Sequence, residues 1–149
     1  MDRFLEIERI PYEEPYHLDL VVTASNGNSN GQIEIYDNAD FLIKIADSLE
    51  KFPVDSKDEF KWELGSENPK DRFAFYFLFN VFNYMTEGWI SAIHIRFNNN
   101  EELPFREISD FCIPCEPVGI NRLGKLFREF AKLDSKKLIW NGIEGEIIK

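Results

Sequence analysis

The sequence predicts an α+β fold of two layers, in which two helices pack on one face of a mostly antiparallel sheet of five to seven strands. The uncharged, aromatic run at residues 73–84, FAFYFLFNVFNY, has the composition of a strand at the centre of a sheet. Several flanking segments alternate apolar and polar residues, and the short connections between them favour antiparallel pairing. Two further segments carry one apolar stripe at helical spacing, which a helix buries by packing on a sheet.

The first half of the chain predicts a hairpin and a helix. Residues 4–10 form an extended segment or an ordered arm, and residues 17–24 alternate as a half-buried strand. The segment SNGNSNG tolerates the positive φ angles of a hairpin turn, and residues 32–36 form the returning strand. Apolar residues at helical spacing then predict a helix over residues 41–52.

The second half predicts four strands and a second helix, which makes the overall order ββαββββα with a short edge strand after it. Gly124 lies on the apolar face of that helix, which indicates a close approach to the sheet. A tight turn is predicted at Thr86-Glu87-Gly88. The elements are strands at 59–65, 73–84, 89–97 and 105–113, a helix opened by Glu116-Pro117, and the edge strand at 136–140.

Composition indicates one globular domain over residues 1–149. The chain is 44% hydrophobic and 30% charged, which is typical of a folded domain with a core and not of a disordered chain. Its formal net charge of −10 argues against nucleic-acid binding, which needs clustered lysine and arginine to neutralise phosphates. The same charge suits a basic protein partner.

The sequence favours a cytoplasmic protein that does not enter a membrane. Its apolar runs are far shorter than the ~20 residues that a membrane-spanning helix needs. The opening segment, MDRFLEIERI, lacks the basic and then apolar pattern of an export signal. The chain contains only two cysteines, a number that is typical of proteins in a reducing compartment and not of disulfide-rich secreted proteins.

The segment Cys112-Ile113-Pro114-Cys115 has the spacing of a redox or metal-binding pair. A redox pair of this kind opens a helix next to a βαβ unit, whereas this one follows an antiparallel strand and is separated from the helix by Glu116-Pro117. No second cysteine pair is available to complete a zinc site. We therefore interpret the two residues as a buried thiol and a loop thiol, and leave a redox role open.

Both histidines, His17 and His94, fall on the polar faces of strands that are predicted to share a sheet. Asp19, Glu34 and Glu63 are expected on the same face, where a metal or acid–base site could be assembled. Scattered polar residues on a solvated face produce the same pattern, and no known catalytic or nucleotide-binding motif occurs. No catalytic, cofactor-binding or metal-binding residue is assigned, and no cofactor is expected.

The central aromatic run is apolar on both faces. Its odd-numbered residues face the helices, whereas Tyr76, Phe82 and Tyr84 fall on the face that neighbouring strands line with charged residues. An aromatic stripe rimmed by charge is typical of a protein-binding patch, although a loop, the N-terminal arm or a second copy of the chain would also cover it. The candidate partner-binding residues are Asp19, Glu34, Glu63, Tyr76, Phe82, Tyr84 and His94.

Several short segments follow one another in a characteristic order: ASNG in the first hairpin, LEKFP at the end of the helix, WELG in a strand, EGWI, and EPVGINRLGKLFREF in the last helix. This pattern, over roughly residues 17–133, resembles small bacterial proteins and, more distantly, the immunity proteins of wall-associated and Rhs-type polymorphic toxins. The resemblance implies a non-enzymatic protein that binds a cognate toxin domain in the producing cell and blocks its active site.

One main hypothesis and two alternatives follow. The main hypothesis is an intracellular binding protein of the immunity type, whose acidic charge complements a basic toxin domain. The first alternative is a small-ligand-binding or enzymatic domain, with His17, His94 and nearby carboxylates in one pocket. The second alternative is a homo-oligomer that buries the aromatic sheet face on itself.

Overall fold

The chain folds into two antiparallel sheets and a pair of helices. A computed structural model describes residues 2–11, 14–85 and 90–149, and these residues form nine strands and two helices. The helices are α1 (Phe41–Glu50) and α2 (Pro117–Phe130). The strands are β1 (Arg3–Ile10), β2 (His17–Asn26), β3 (Asn30–Asn38), β4 (Glu59–Gly65), β5 (Tyr76–Met85), β6 (Ile90–Asn98), β7 (Ile108–Cys115), β8 (Lys137–Trp140) and β9 (Gly145–Ile148).

The strands divide between a five-stranded sheet, in the order β3-β2-β1-β8-β9, and a four-stranded sheet, in the order β4-β5-β6-β7. The predicted α+β class, with antiparallel strands and helices packed on sheet, is confirmed. The strands form two sheets where the sequence predicted one of five to seven strands. The reason is that β1 is the middle strand of a sheet of its own, to which the C-terminal residues add β8 and β9.

The edge strand β7 joins the two sheets by crossing the ends of three strands of the five-stranded sheet. Ser109 Oγ lies 3.4 Å from the backbone carbonyl oxygen of the first residue of β3. Asn26, the last residue of β2, donates to the carbonyl oxygen of Cys112 at 3.0 Å. Arg3, the first residue of β1, donates to the carbonyl oxygen of Pro114 at 2.8 Å. Ser109, Cys112 and Pro114 thus meet β3, β2 and β1 in turn along β7, so the strands of the two sheets cross each other.

One hydrophobic core lies between the two sheets and the helices. The inward residues of β1 and β2 alternate with outward polar residues, and the apolar stripes of α1 and α2 close the core. Its largest fully buried aromatic side chains are Trp62, Phe77, Phe79, Phe127, Phe130 and Trp140. They come from β4, β5, α2 and β8, so the core draws on both sheets and on a helix.

The two helices approach each other closely at Gly124. A Cβ atom at this position would come within 2.7 Å of the backbone nitrogen of Glu50, so the absent side chain makes room for α1. The prediction that Gly124 approaches the sheet is therefore wrong, because the close partner is a helix. Arg128 spans the same contact and donates to Asp47 at 2.5 Å and to Glu50 at 2.6 Å.

The central aromatic strand begins later than predicted. β5 runs from Tyr76 to Met85, and Phe73 before it is 54% exposed. β4 ends at Gly65 opposite Tyr76, so the residues before Tyr76 have no strand partner in the four-stranded sheet. Asn100 Nδ2 instead donates to the carbonyl oxygen of Phe73 at 3.1 Å.

The other predicted elements are present with shifted ends. The predicted helix over 41–52 ends at Glu50, and the predicted strand over 105–113 is β7, which reaches Cys115. The tail that the sequence left unassigned forms β9. The predicted turn at Thr86-Glu87-Gly88 and Trp89, the predicted first residue of β6, lie outside the described residues.

Replacing Gly124 with Ala is expected to lower the free energy of unfolding by about 1–3 kcal/mol, because the new Cβ overpacks the helix contact. This decrease in stability is expected even though the higher helix propensity of Ala relative to Gly would by itself stabilise α2 by up to ~1 kcal/mol. Urea denaturation measures the change. Lys125→Ala, on the exposed face of α2, is the matched control and should change the free energy by no more than about 0.5 kcal/mol. A Gly124→Ala variant as stable as the natural protein would contradict the close approach.

Candidate functional site

The outer face of the four-stranded sheet is a regular grid of polar and aromatic side chains. Most odd-numbered residues of β5 and β6 are buried in the core, so the even-numbered residues point outward. Register places Glu63, Leu78, Arg96 and Asp110 in one row across the four strands, and Lys61, Asn80, His94 and Cys112 in the next.

Arg96 is held at the centre of this face by two carboxylates. Its Nε and Nη2 atoms donate to Glu67 at 3.0 Å and 2.8 Å, and its Nη1 atom donates to Asp110 at 2.8 Å. His94 Nε2 lies 2.7 Å from the other carboxylate oxygen of Asp110. Asn98 Nδ2 donates to Glu67 at 2.6 Å. We call these five residues the Arg96 network.

The Arg96 network keeps its carboxylates ionised. Hydrogen bonds from Arg96 hold the pKa of Glu67 below its ordinary value. Burial acts to raise the pKa of Asp110, but hydrogen bonds from His94 and Arg96 outweigh it and leave that pKa lowered. Because charge-assisted hydrogen bonds of an arginine fork are directional, the network fixes these side chains in position.

Aromatic side chains extend the face on both sides of the network. Tyr76 Oη donates to Glu63 at 2.6 Å, and burial together with this hydrogen bond raises the pKa of Tyr76, so its phenol is neutral. Phe82 is half-buried, and Tyr84 is 53% exposed. Leu78 is only 8% exposed, so its neighbours cover the apolar centre of β5. The uncovered aromatic surface of this strand therefore lies at Phe82 and Tyr84.

The outer face of the five-stranded sheet carries a pair of carboxyl groups, Asp19 on β2 and Glu34 on β3. Asp19 is 8% exposed, and its Oδ1 atom is buried and accepts no hydrogen bond from a described donor. The carboxyl group of Glu34 lies near enough to form a hydrogen bond with that of Asp19 when one of the two is protonated. Burial, followed by the hydrogen bond and the charge of Glu34, raises the pKa of Asp19 to about 6.

The predicted partner-binding residues lie on two separate surfaces. The outer face of the four-stranded sheet brings together Glu63, Tyr76, Phe82 and His94, and exposed Tyr84 follows Phe82 at a bulge between Asn83 and Met85. Asp19 and Glu34 lie on the five-stranded sheet, so the prediction that they share a face with Glu63 is wrong. The error follows from the division into two sheets, because the outer faces of the sheets lie on either side of the common core.

The two histidines do not converge. His17 points outward from β2, next to the buried Leu18, and His94 points outward from β6 in the other sheet. This arrangement does not support one pocket that contains both histidines. Within residues 2–11, 14–85 and 90–149, no group of three or more His, Cys, Asp or Glu side chains is placed to hold a metal ion.

The cysteines of the CIPC segment lie on opposite faces of β7. Cys112 is half-buried and points outward, whereas Cys115 is buried and points into the core. Residues three apart in a strand are separated by roughly 10 Å, beyond the ~7 Å between Cα atoms that a disulfide spans. Burial raises the pKa of Cys115 to about 12, and burial with the charge of Asp110 raises that of Cys112. Both thiols are therefore weak nucleophiles at neutral pH.

A cleft of about 740 Å³ lies where α2 begins. Ile90, Pro114, Val118 and Ile143 form its apolar wall, and Arg3 lies at its margin. None of the predicted partner-binding residues lines this cleft.

Sequence reasoning missed Glu67 and the Arg96 network as a unit. Arg96 and Asp110 alternate with buried residues in β6 and β7, and this alternation is a signal for the outer face. Glu67 lies in the loop after β4, outside any alternating pattern. Only the folded chain shows that this loop returns over Arg96.

The chain matches no protein-family model, no curated protein sequence and no solved structure. Among the described residues, no helix has the length and apolar character needed to cross a membrane.

Replacing Asp19 with Asn is expected to raise the free energy of unfolding at pH 7 by roughly 1–3 kcal/mol. The pKa of Asp19 is about 6 in the folded protein and ordinary in the unfolded chain, so the natural protein loses stability as the pH rises from 4 to 6. The variant lacks this loss, and the difference between the two proteins should disappear below pH 4. Urea denaturation at several pH values measures the difference. A constant difference across this range would contradict the buried carboxyl pair.

Oxidation of the native protein with diamide is expected to leave Cys112 and Cys115 unlinked, because they lie on opposite faces of one strand. Mass spectrometry of the intact protein checks for the loss of two hydrogens. The urea-unfolded protein is the control, since its flexible chain permits the disulfide. A native intramolecular disulfide would require β7 to be irregular.

Proposed function

We propose that this protein is a non-enzymatic binding protein of the immunity type, which binds a basic toxin domain in the cytoplasm of the producing cell and neutralises it. The observation that carries the proposal is the outer face of the four-stranded sheet, where half-buried Phe82 lies on the same face as the Arg96 network and exposed Tyr84 follows it at a bulge in β5. We call the exposed surface formed by Phe82 and Tyr84 the aromatic face.

The composition of the aromatic face supports protein binding. Tyrosine, tryptophan and arginine are enriched among the residues that dominate the energetics of protein interfaces. Aromatic side chains bury a large area with little loss of conformational freedom. Tyr84 is 53% exposed in the isolated chain, so a partner has area to bury there. The Arg96 network is already ordered by its hydrogen bonds, which lowers the entropy that binding must overcome.

The charge of the chain supports a basic partner. The net charge of −10 raises the rate of encounter with a positively charged protein and disfavours acidic competitors. The order of the segments WELG and EPVGINRLGKLFREF, which resembles immunity proteins, supports a toxin domain as that partner. A sheet face that covers the toxin's active site would neutralise the toxin without any chemistry in the binding protein.

Co-expression with a toxin domain encoded immediately upstream of this protein's gene tests the proposal, and the absence of such a gene together with the absence of any protection would contradict it. The natural protein is expected to restore growth, and Tyr84→Ala is expected to weaken binding of the purified domain at least tenfold, as for the aromatic residues of other interfaces. Calorimetry measures the affinity. Tyr16→Ala, which removes a 77% exposed tyrosine outside the aromatic face, is the matched control and should bind like the natural protein.

Two outcomes would contradict the proposal. One is the absence of protection by the natural protein against the neighbouring domain. The other is a stable dimer in sedimentation that Tyr84→Ala dissociates, which would show that a second copy of the chain covers the aromatic face.

A further inference from the structure

The loop between β6 and β7 exposes apolar side chains and uses its asparagines to hold its own backbone. Leu103 is 73% exposed, and Phe105 is 72% exposed. Asn99 Oδ1 accepts hydrogen bonds from the backbone N–H groups of Glu101 and Glu107. Asn99 Nδ2 donates to the carbonyl oxygen of Phe105 at 2.9 Å. The loop is therefore fixed in a conformation that presents large apolar side chains to the solvent.

The loop between β4 and β5 is tied to the β6–β7 loop and adds to its apolar surface. Asn100 Nδ2 donates to the carbonyl oxygens of Ser66 and Phe73 at 2.8 and 3.1 Å. Phe73 is 54% exposed, and Ile108 at the start of β7 is 47% exposed. With ~200 Å² for a phenylalanine side chain, Phe73 and Phe105 alone leave roughly 250 Å² of apolar area uncovered. An exposed apolar area of this size is typical of an interaction site. We call the exposed parts of the two loops the two-loop surface.

A cleft of about 540 Å³, which we call the loop cleft, lies between the two loops. Arg72 and Phe73 line it from the β4–β5 loop, and Glu102 and Arg106 line it from the β6–β7 loop. Phe105 lies between these last two residues in the chain, so its exposed ring stands beside the cleft. The two-loop surface thus carries an apolar projection and a recess next to each other.

The charges on the two-loop surface have both signs, although the net charge of the chain is −10. Three of the seven arginines, Arg72, Arg96 and Arg106, line the loop cleft. Within the described part of the chain, the Arg72 guanidinium forms no ion pair or hydrogen bond. Glu102 is 95% exposed and lies 3.8 Å from Arg106. A wholly acidic surface would repel a second copy of this chain, whereas a surface with exposed arginine and glutamate can pair with itself.

We propose that the two-loop surface is the interface of a symmetric dimer, in which Phe105 of each copy of the chain enters the loop cleft of the other. In a two-fold contact each feature meets its complement twice, so a projection beside a recess closes the assembly at two copies. Phe105 then packs against the second copy's Phe73 and Arg72, in an aromatic and a cation–π contact. Glu102, close to Phe105 in the loop, forms an ion pair with the same Arg72.

This inference does not depend on the proposed function, and the two are compatible. The two-loop surface lies at the end of β5 that begins with Tyr76, because Tyr76 pairs with the last residue of β4 and Asn98 pairs with Ile108. The aromatic face lies at the other end of β5. Tyr76 and Tyr84 are eight residues apart, which is roughly 26 Å along a strand. A dimer through the two loops therefore leaves both aromatic faces exposed.

Sedimentation equilibrium of the purified protein at physiological ionic strength tests the inference without a toxin domain. A monomer–dimer equilibrium with a micromolar Kd is expected, because the apolar area is small for an interface. Phe105→Ser should raise this Kd at least about 100-fold, since the symmetry removes two buried rings and each costs about tenfold. Val54→Ser is the matched control, because it removes a 76% exposed apolar side chain outside the two-loop surface. It should dimerise like the natural protein, and circular dichroism checks that each variant is folded.

An exchange of charges between Arg72 and Glu102 tests the contact itself. Arg72→Glu and Glu102→Arg should each weaken dimerisation at least about tenfold, because each places like charges opposite each other twice. A mixture of the two single variants should form a mixed dimer, and the double variant should dimerise again, since opposite charges meet in both cases. Native mass spectrometry distinguishes mixed from uniform dimers. A general loss of structure in the single variants would not be reversed by mixing them.

Three results would overturn the dimer. They are a natural protein that stays monomeric at millimolar concentration, a Phe105→Ser variant that dimerises as tightly as the natural protein, and single charge variants that form no mixed dimer.

The outcomes also separate the two proposals. A dimer that behaves as expected, together with no protection against the upstream toxin domain, would contradict the proposed function alone. Protection that depends on Tyr84, given by a protein that stays monomeric, would contradict the dimer alone. A dimer that Tyr84→Ala dissociates and Phe105→Ser does not would contradict both.

Discussion

The packing of Trp62 is the contact on which the rest of the structure depends. Its ring extends from β4 into the core and meets Phe41 of α1, Phe77 of β5 and Phe127 of α2 at centroid distances of 6.2, 4.7 and 6.1 Å. Its Nε1 atom donates to Asp37 of β3 at 3.0 Å. One side chain thus contacts both sheets and both helices. Because a buried indole must satisfy its N–H, this hydrogen bond sets where β3 crosses the four-stranded sheet.

The crosswise packing that Trp62 stabilises gives the molecule two outer faces of different character. On the four-stranded sheet, Arg96 donates hydrogen bonds to two carboxylates, Glu67 and Asp110, and the aromatic surface at Phe82 and Tyr84 remains exposed. On the five-stranded sheet, burial and the neighbouring carboxyl group of Glu34 raise the pKa of Asp19 to about 6. An arginine therefore holds the carboxylates of one face ionised, whereas burial and a second carboxyl group oppose the ionisation of Asp19 on the other.

Much of the candidate site could be predicted from the sequence, because strand alternation reports which residues share a face. The period-two pattern correctly brought Tyr76, Phe82 and His94 to one surface. It could not separate that surface from the one with Asp19, since alternation gives the side of a strand and not the sheet to which the strand belongs. It also could not place Glu67, because a loop has no period.

The sequence by itself determined the α+β class, the two apolar helix stripes and the inward faces of the strands, because these depend on local spacing. Only the tertiary structure decided that β1 forms the middle of a second sheet, that Gly124 meets α1, and that the CIPC thiols point in opposite directions. Each of these depends on contacts between residues far apart in the chain. Such contacts depend on how side chains from the whole chain pack together in the core, and no single segment of the sequence is sufficient to predict that packing.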